Sequence, residues 1–141
     1  MNIRSFIRGA SAAVAIAVAM PAAAHEPVET VTPNFEQVIP NIPGKSVRAL
    51  VVDYPPAGAS FPHTHAKSAF IFAYVLSGEI ESQVNNEPKR VYHAGESFHE
   101  TPGSTHLVSR NASKTEPAKL LAVFIADTDD KELTTTISTK E

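Results

Sequence analysis

Past Pro27 the chain is cut into short apolar segments by glycine, proline and asparagine at roughly ten-residue intervals, and this punctuation limits its fold more than any other feature. Val47 to Tyr54 alternates and is rich in valine, then meets Pro55-Pro56-Ala57-Gly58. Ala69 to Leu76 ends at Ser77-Gly78, and Glu79 to Val84 alternates before Asn85-Asn86-Glu87-Pro88. Lys89 to His93 stops at Ala94-Gly95, Glu96 to Thr101 at Pro102-Gly103, and His106 to Ser109 runs into the polar stretch Arg110 to Pro117. Leu120 to Ala126 is continuously apolar, which suits a strand buried on both faces. No window after Pro27 carries an apolar stripe of helical period. These features predict an all-β chain, an antiparallel sandwich or barrel.

The first residues read differently. Arg4 and Arg8 precede an Ala-, Val- and Ile-rich stretch, Gly9 to Met20, followed by Pro21, Ala22-Ala23-Ala24 and the polar His25-Glu26. A positive start, an apolar middle and a small-residue junction predict a signal peptide over residues 1–24, hence export to the periplasm or medium. The stretch is too short and alanine-rich for a good membrane span, and none is expected after cleavage. The rest of the chain suffices for one domain. An extended, proline-rich N-terminal arm is expected over 25–44, the barrel over 45–127 and a polar tail over 128–141. Either the arm or the tail could be disordered, or could add a strand to a neighbouring subunit. The formal charge is −3, and the leader contributes basic residues but no acid, so the exported chain is more acidic still. With no basic run or patch, the sequence argues against nucleic acid and anionic membrane surfaces as partners. The chain has no cysteine, so burial and self-association must replace disulfides.

Chemistry concentrates at Phe61-Pro62-His63-Thr64-His65. In a strand, residues two apart face the same way, so the two imidazoles can converge on one metal ion at ~2.0–2.2 Å. Two polar residues on an exposed strand end would look the same, so a third ligand is required. His106, delivered by the turn Pro102-Gly103-Ser104-Thr105, is the candidate.

These pieces resemble the two motifs of the cupin superfamily. Gly58, His63-Thr64-His65 and Tyr74-Val75-Leu76-Ser77-Gly78 match the first; Gly95-Glu96, Pro102-Gly103, His106 and Asn111 match the second. The resemblance covers about residues 45 to 127 and implies a small antiparallel jelly-roll barrel, a small single-domain cupin with the histidines inside. It also implies a homodimer, which the Val47–Tyr54 strand and the arm could serve. The chain departs from the motifs at several points. The first-motif glutamate falls on Ile71, with no acid between His65 and Gly78. Thr101 replaces a proline, Asn111 stands one residue late, and Gly58 lies one residue close to the histidine pair.

Three histidines with open positions still make a divalent-metal site for Fe, Mn, Ni or Zn. Glu100 is the preferred replacement carboxylate, either as a ligand or as a catalytic general base; the alternative is an exposed strand-end acid. Gln83 is a second candidate ligand, against a role in cross-strand hydrogen bonding. His99 could line the pocket, and His93 belongs with solvent. Tyr74 packs, because it shares a strand face with Phe72 and Leu76, opposite Ile71, Ala73 and Val75. His25 would become the first residue after cleavage, but nothing in the arm supplies it with a partner histidine. Three functions stay open. A metal-dependent enzyme of dioxygenase or isomerase type would polarise an oxygen anion of a small organic substrate on the metal. The same pocket could bind a small ligand without turnover. The barrel could also be a structural or sensory module that keeps its histidines as relics.

Overall fold

The structure is a computed structural model that describes residues 28–138; the leader, His25 and the last three residues lie outside the described residues. Ten strands follow one another: β1 (Thr30–Val38), β2 (Lys45–Tyr54), β3 (His63–His65), β4 (Phe70–Ser77), β5 (Glu79–Val84), β6 (Arg90–His93), β7 (Ser97–Glu100), β8 (Thr105–Asn111), β9 (Ala118–Asp127) and β10 (Thr134–Thr136). There is no helix among the described residues. The strands form two five-stranded sheets, ordered β1-β2-β9-β4-β7 and β10-β3-β8-β5-β6, with every named pair antiparallel. This is the all-β antiparallel jelly-roll architecture.

Alternation decides what lies between the sheets. Ile71, Ala73 and Val75 of β4 point inward, as do Ala118, Leu120, Ala122, Phe124 and Ala126 of β9. One apolar cluster joins Val52, Tyr54, Ala73, Val75, Ile80 and Leu120; a second joins Ala69, Ile71, Ala122, Phe124 and Ala126. Burying such side chains contributes about 1.5–3 kcal/mol each and must hold a chain that has no disulfide.

β9 differs from expectation. Its run is continuously apolar, yet only alternate residues are buried, and Ile125 is 38% exposed. No element among the described residues covers the outer face of its sheet, where Ile125 pairs with Phe70 and Val123 with Phe72. The arm and tail also hold strands that the punctuation did not reveal. Residues 30–38 are β1, an edge strand that tolerates Pro33 through a register shift and pairs with β2 of its own chain. Thr134–Thr136 is β10, which pairs with β3.

The β4–β5 turn depends on one glycine. Gly78 has φ +72°, and a Cβ there would lie 2.6 Å from the Pro117 carbonyl oxygen and 2.8 Å from Ala118 Cα. Both the backbone conformation and the space require glycine. Gly78→Ala is expected to destabilise the fold by about 1–3 kcal/mol. An unchanged denaturant midpoint would contradict this.

Candidate metal centre

β3 is three residues long and lies between β10 and β8. Pro62 enters it without an N–H and gives its carbonyl to the Ile137 amide. At the other end, the His65 N–H donates to the Ser104 carbonyl, and the Gly103 N–H to that of Ala66. The Pro102-Gly103 turn is thereby tied to the end of the histidine strand. His63 and His106 are direct cross-strand partners. Strand parity then brings His65 to the same face, and the three rings gather with centroids 4.8, 5.3 and 6.2 Å apart.

One ring nitrogen from each of His63, His65 and His106 lies within 4.8 Å of the other two. Ligand bonds of ~2.0–2.2 Å require the widest pair to close by roughly 1–2 Å, within reach of side-chain adjustment. Hydrogen bonds prepare two of the rings. His63 Nδ1 sits 2.8 Å from the Phe61 carbonyl, which can only accept, so Nδ1 carries the proton and Nε2 keeps its lone pair. Burial lowers the His63 pKa from its ordinary value, and the neighbouring His106 and His65 push the same way against the Phe61 carbonyl. The neutral ring that a metal needs is thereby favoured. His106 Nδ1 faces the Glu100 carboxylate, which can only accept, so without metal the Nδ1 proton points there. Nε2, 2.8 Å from Ser82 Oγ, can then accept from that hydroxyl; when a metal takes Nδ1, Ser82 can instead accept the proton of Nε2.

Glu100 arrives from the opposite sheet. It is 3% exposed at the end of β7, with Oε2 2.8 Å from His65 Nε2 and Oε1 3.2 Å from His106 Nδ1. The His65 contact is close but misaligned. Both His65 ring nitrogens and Glu100 Oε2 are buried without a properly directed hydrogen-bond partner. Burial alone would raise the Glu100 pKa, but pairing with His106 and His65 outweighs it and lowers the value from 4.5 to about 2. The group is an ionised carboxylate, suited to holding a cation. His65 Nε2 and Glu100 Oε2, both buried without a hydrogen-bond partner and 2.8 Å apart beside His63 and His106, fit a divalent metal well. His63, His65, His106 and Glu100 would hold it.

Register explains how Glu100 comes to stand here. It is the direct cross-strand partner of Ile71, on β4. Both side chains face inward and both line the cavity beside the histidines. The carboxylate has moved one strand sideways from the motif position that Ile71 occupies.

Other candidates fall elsewhere. Gln83 is not at the site: in β5, Ile80, Ser82 and Val84 face inward, so Gln83 faces outward and donates to the Glu87 carbonyl at 3.0 Å. The same parity puts Ser82 against His106. That placement was readable from Ile80 and Val84 once they are taken as core residues. His99 lies on the outer face, stacked on Phe70, and His93 is exposed beside Glu79 and Glu96. Asn111 is buried, with its amide given to the Pro55 and Glu116 carbonyls, so it closes a loop. Ile71 and Ala73 line the cavity, whereas Val75 packs in the core beneath. The cavity holds about 190 Å³ and continues past the histidines to Tyr54, Ser60 and Ser109.

Residues 50–124 match the family model for the cupin domain. The chain is a cupin. Its curated relatives include germin-like protein subfamily 2 member 2 of Arabidopsis thaliana, 33% identical over an alignment of 95 residues that covers 64% of this chain and 42% of that protein. This cupin thus spans about two fifths of that relative's length. Among solved structures, oxalate oxidase in complex with the substrate analogue glycolate superposes with TM-score 0.59 at 25% identity, covering 77% of this chain and 55% of that one. An uncharacterised double-stranded β-helix protein from Klebsiella pneumoniae superposes with TM-score 0.62 at 18% identity, covering 85% and 90%, and supports the fold alone.

Ser82 offers a test of the geometry around His106. Partners that orient a ligating histidine typically contribute about 10–100-fold to metal affinity. Ser82→Ala is expected to weaken metal binding by that factor in competition with a chelator, while the fold stays intact. Unchanged affinity would show that Ser82 does not orient His106.

Proposed function

We propose that this cupin is an exported metalloprotein that binds one divalent ion and acts, as an oxidoreductase, on a small organic molecule bearing an oxygen donor. One observation carries the reading: three histidines and a buried carboxylate, drawn from both sheets, converge on the wall of a mostly apolar cavity. A bound ion would supply Lewis-acid polarisation of that oxygen donor. The chain's own residues set the conditions. Phe61 and Ser82 orient His63 and His106, Glu100 balances charge, and Ile71, Ala73 and Phe124 keep water from the cavity floor. Because Glu100 is held ionised at about 2, we assign it to holding the ion rather than to storing a proton near neutral pH. The oxalate oxidase likeness supports a carboxylate-bearing or otherwise oxygen-donating substrate.

Homodimerisation is part of the proposal and is supported by the outer face of the β1-β2-β9-β4-β7 sheet. Phe70, Phe72, Leu76 and Ile125 are exposed there, an apolar surface of the kind that marks association. Export is supported by the leader sequence.

The deciding experiment is oxygen uptake by metal-loaded protein, measured over oxalate, phenolic compounds and diketones. Uptake with at least one compound that disappears on metal removal is expected. Binding across the panel without consumption of oxygen or conversion of any compound would leave a ligand-binding cupin in place of the enzyme.

A further inference from the structure

The cavity has a second acidic end that the metal reading does not use. Glu29 lines it together with Val31 and Tyr54, and Glu29 Oε2 is buried without a hydrogen-bond partner among the described residues. Its position follows from register. Val28 bridges to Ala59, and β1 opens with Thr30 paired to Asp53 and Val31 to Val52. Continuing that antiparallel register by one residue sets Glu29 opposite Tyr54, on the cavity-facing side that Val31 and Val52 share.

Beside it stand three hydroxyls. Tyr54 Oη lies 2.9 Å from Ser60 Oγ and 2.8 Å from Ser109 Oγ. Two hydrogen bonds among three hydroxyls leave one O–H proton and several lone pairs uncommitted. Burial, with Glu29 and Glu100 adding to it, raises the Tyr54 pKa against the two serine hydrogen bonds, so this group stays a neutral donor. Glu29 is only partly buried, but a carboxylate oxygen buried without a donor, as its Oε2 is, costs free energy that a ligand's N–H groups can recover.

We propose that the cavity recognises a small zwitterion, with its oxyanion toward the histidine and Glu100 end and a primary or secondary ammonium on Glu29. This rests on the metal reading for the oxyanion end only. Charge supports the pairing: a dication, Glu100 and Glu29 sum to zero, so the ligand that leaves the cavity without net charge is neutral overall. The two unlike ends then give it one orientation. An ammonium on Glu29 makes charge-assisted hydrogen bonds, and the Tyr54, Ser60 and Ser109 hydroxyls take its remaining protons. The small cavity volume limits the ligand to a short chain.

Calorimetric titration of the full chain tests this with four probes. γ-Aminobutyrate is expected to bind the metal-loaded protein about ten-fold or more tightly than butyrate. Glu29→Gln is expected to erase that preference and to bind butyrate as tightly as the native protein or more so, because a negative charge is removed from the cavity. Glu29→Asp keeps the charge but shortens the reach and is expected to fall between the two; it decides the matter if Glu29→Gln does not fold. Equal affinities for the two probes in the native protein, or a preference that survives Glu29→Gln, overturn the proposal. Butylamine against butanol, titrated into metal-stripped protein, reads the Glu29 end alone. If butyrate binding proves indifferent to metal, the metal reading fails and this second comparison still decides the role of Glu29.

Discussion

Elemental analysis of the purified protein, equilibrated with a divalent metal and desalted, is expected to give about one ion per chain, and His63→Ala/His65→Ala is expected to reduce it to background. Removing an outer partner of a ligand costs about 10–100-fold in affinity, and removing two of three imidazoles must cost far more. What remains, His106 and Glu100, is a two-ligand site with no chelate from β3. The fold should survive the change. His63 is only half-buried at the cavity wall, and His65 is more deeply set but lacks hydrogen bonds to its ring nitrogens. Metal binds the native state alone, so added metal should raise the melting temperature of the native protein and leave that of the double variant unmoved. His99→Ala serves as control, because His99 lies on the outer face against Phe70. Native protein that stays metal-free at saturating metal, or a double variant that retains its ion, would refute the metal centre.

Much of this centre is legible in the order of the residues alone. His63 and His65 share a face by parity, and His106 follows a turn whose proline and glycine can be read directly. Seven of the ten strands lie in segments bounded by clear turn chemistry. The other three, β1, β3 and β10, carry no such mark. β3 and β10 are three residues each, too short for alternation to register, and β10 is three threonines with no apolar member. β1 contains a proline and is exposed along its length, so its strand character comes from pairing with β2 rather than from its own pattern. Glu29 is hidden for that reason: only the register with β2 places it opposite Tyr54. Gln83 and Ser82 show a different failure. Chemistry draws attention to the amide, while parity with Ile80 and Val84 assigns the inward place to the serine. The run Leu120 to Ala126 shows a third, since a continuous apolar segment does not say whether its second face meets its own chain or another.

The relation between Ile71 and Glu100 yields the most demanding prediction. The two are opposed across β4 and β7, and opposed residues have Cβ atoms ~4.5–5.5 Å apart, so a carboxylate on either backbone can address the same ion. Glu100→Ile should lower metal affinity by at least about 10–100-fold, because it removes the only carboxylate beside His65 and His106 among the described residues. Ile71→Glu should lower the stability of metal-free protein, since it sets two buried carboxylates against each other, and added metal should restore it. The double variant Ile71→Glu/Glu100→Ile conserves side-chain volume and charge within the pair and returns the carboxylate to the motif position. It is expected to recover native metal affinity to within about ten-fold, roughly the margin that one displaced partner costs. In a double-mutant cycle the two changes should then be strongly non-additive, as residues sharing one ion must be. A double variant that folds, by circular dichroism, but binds metal no better than Glu100→Ile would show that Glu100 does not stand in for the missing motif acid. Recovery would show that the jelly roll fixes where the charge must be, and that either strand can carry it.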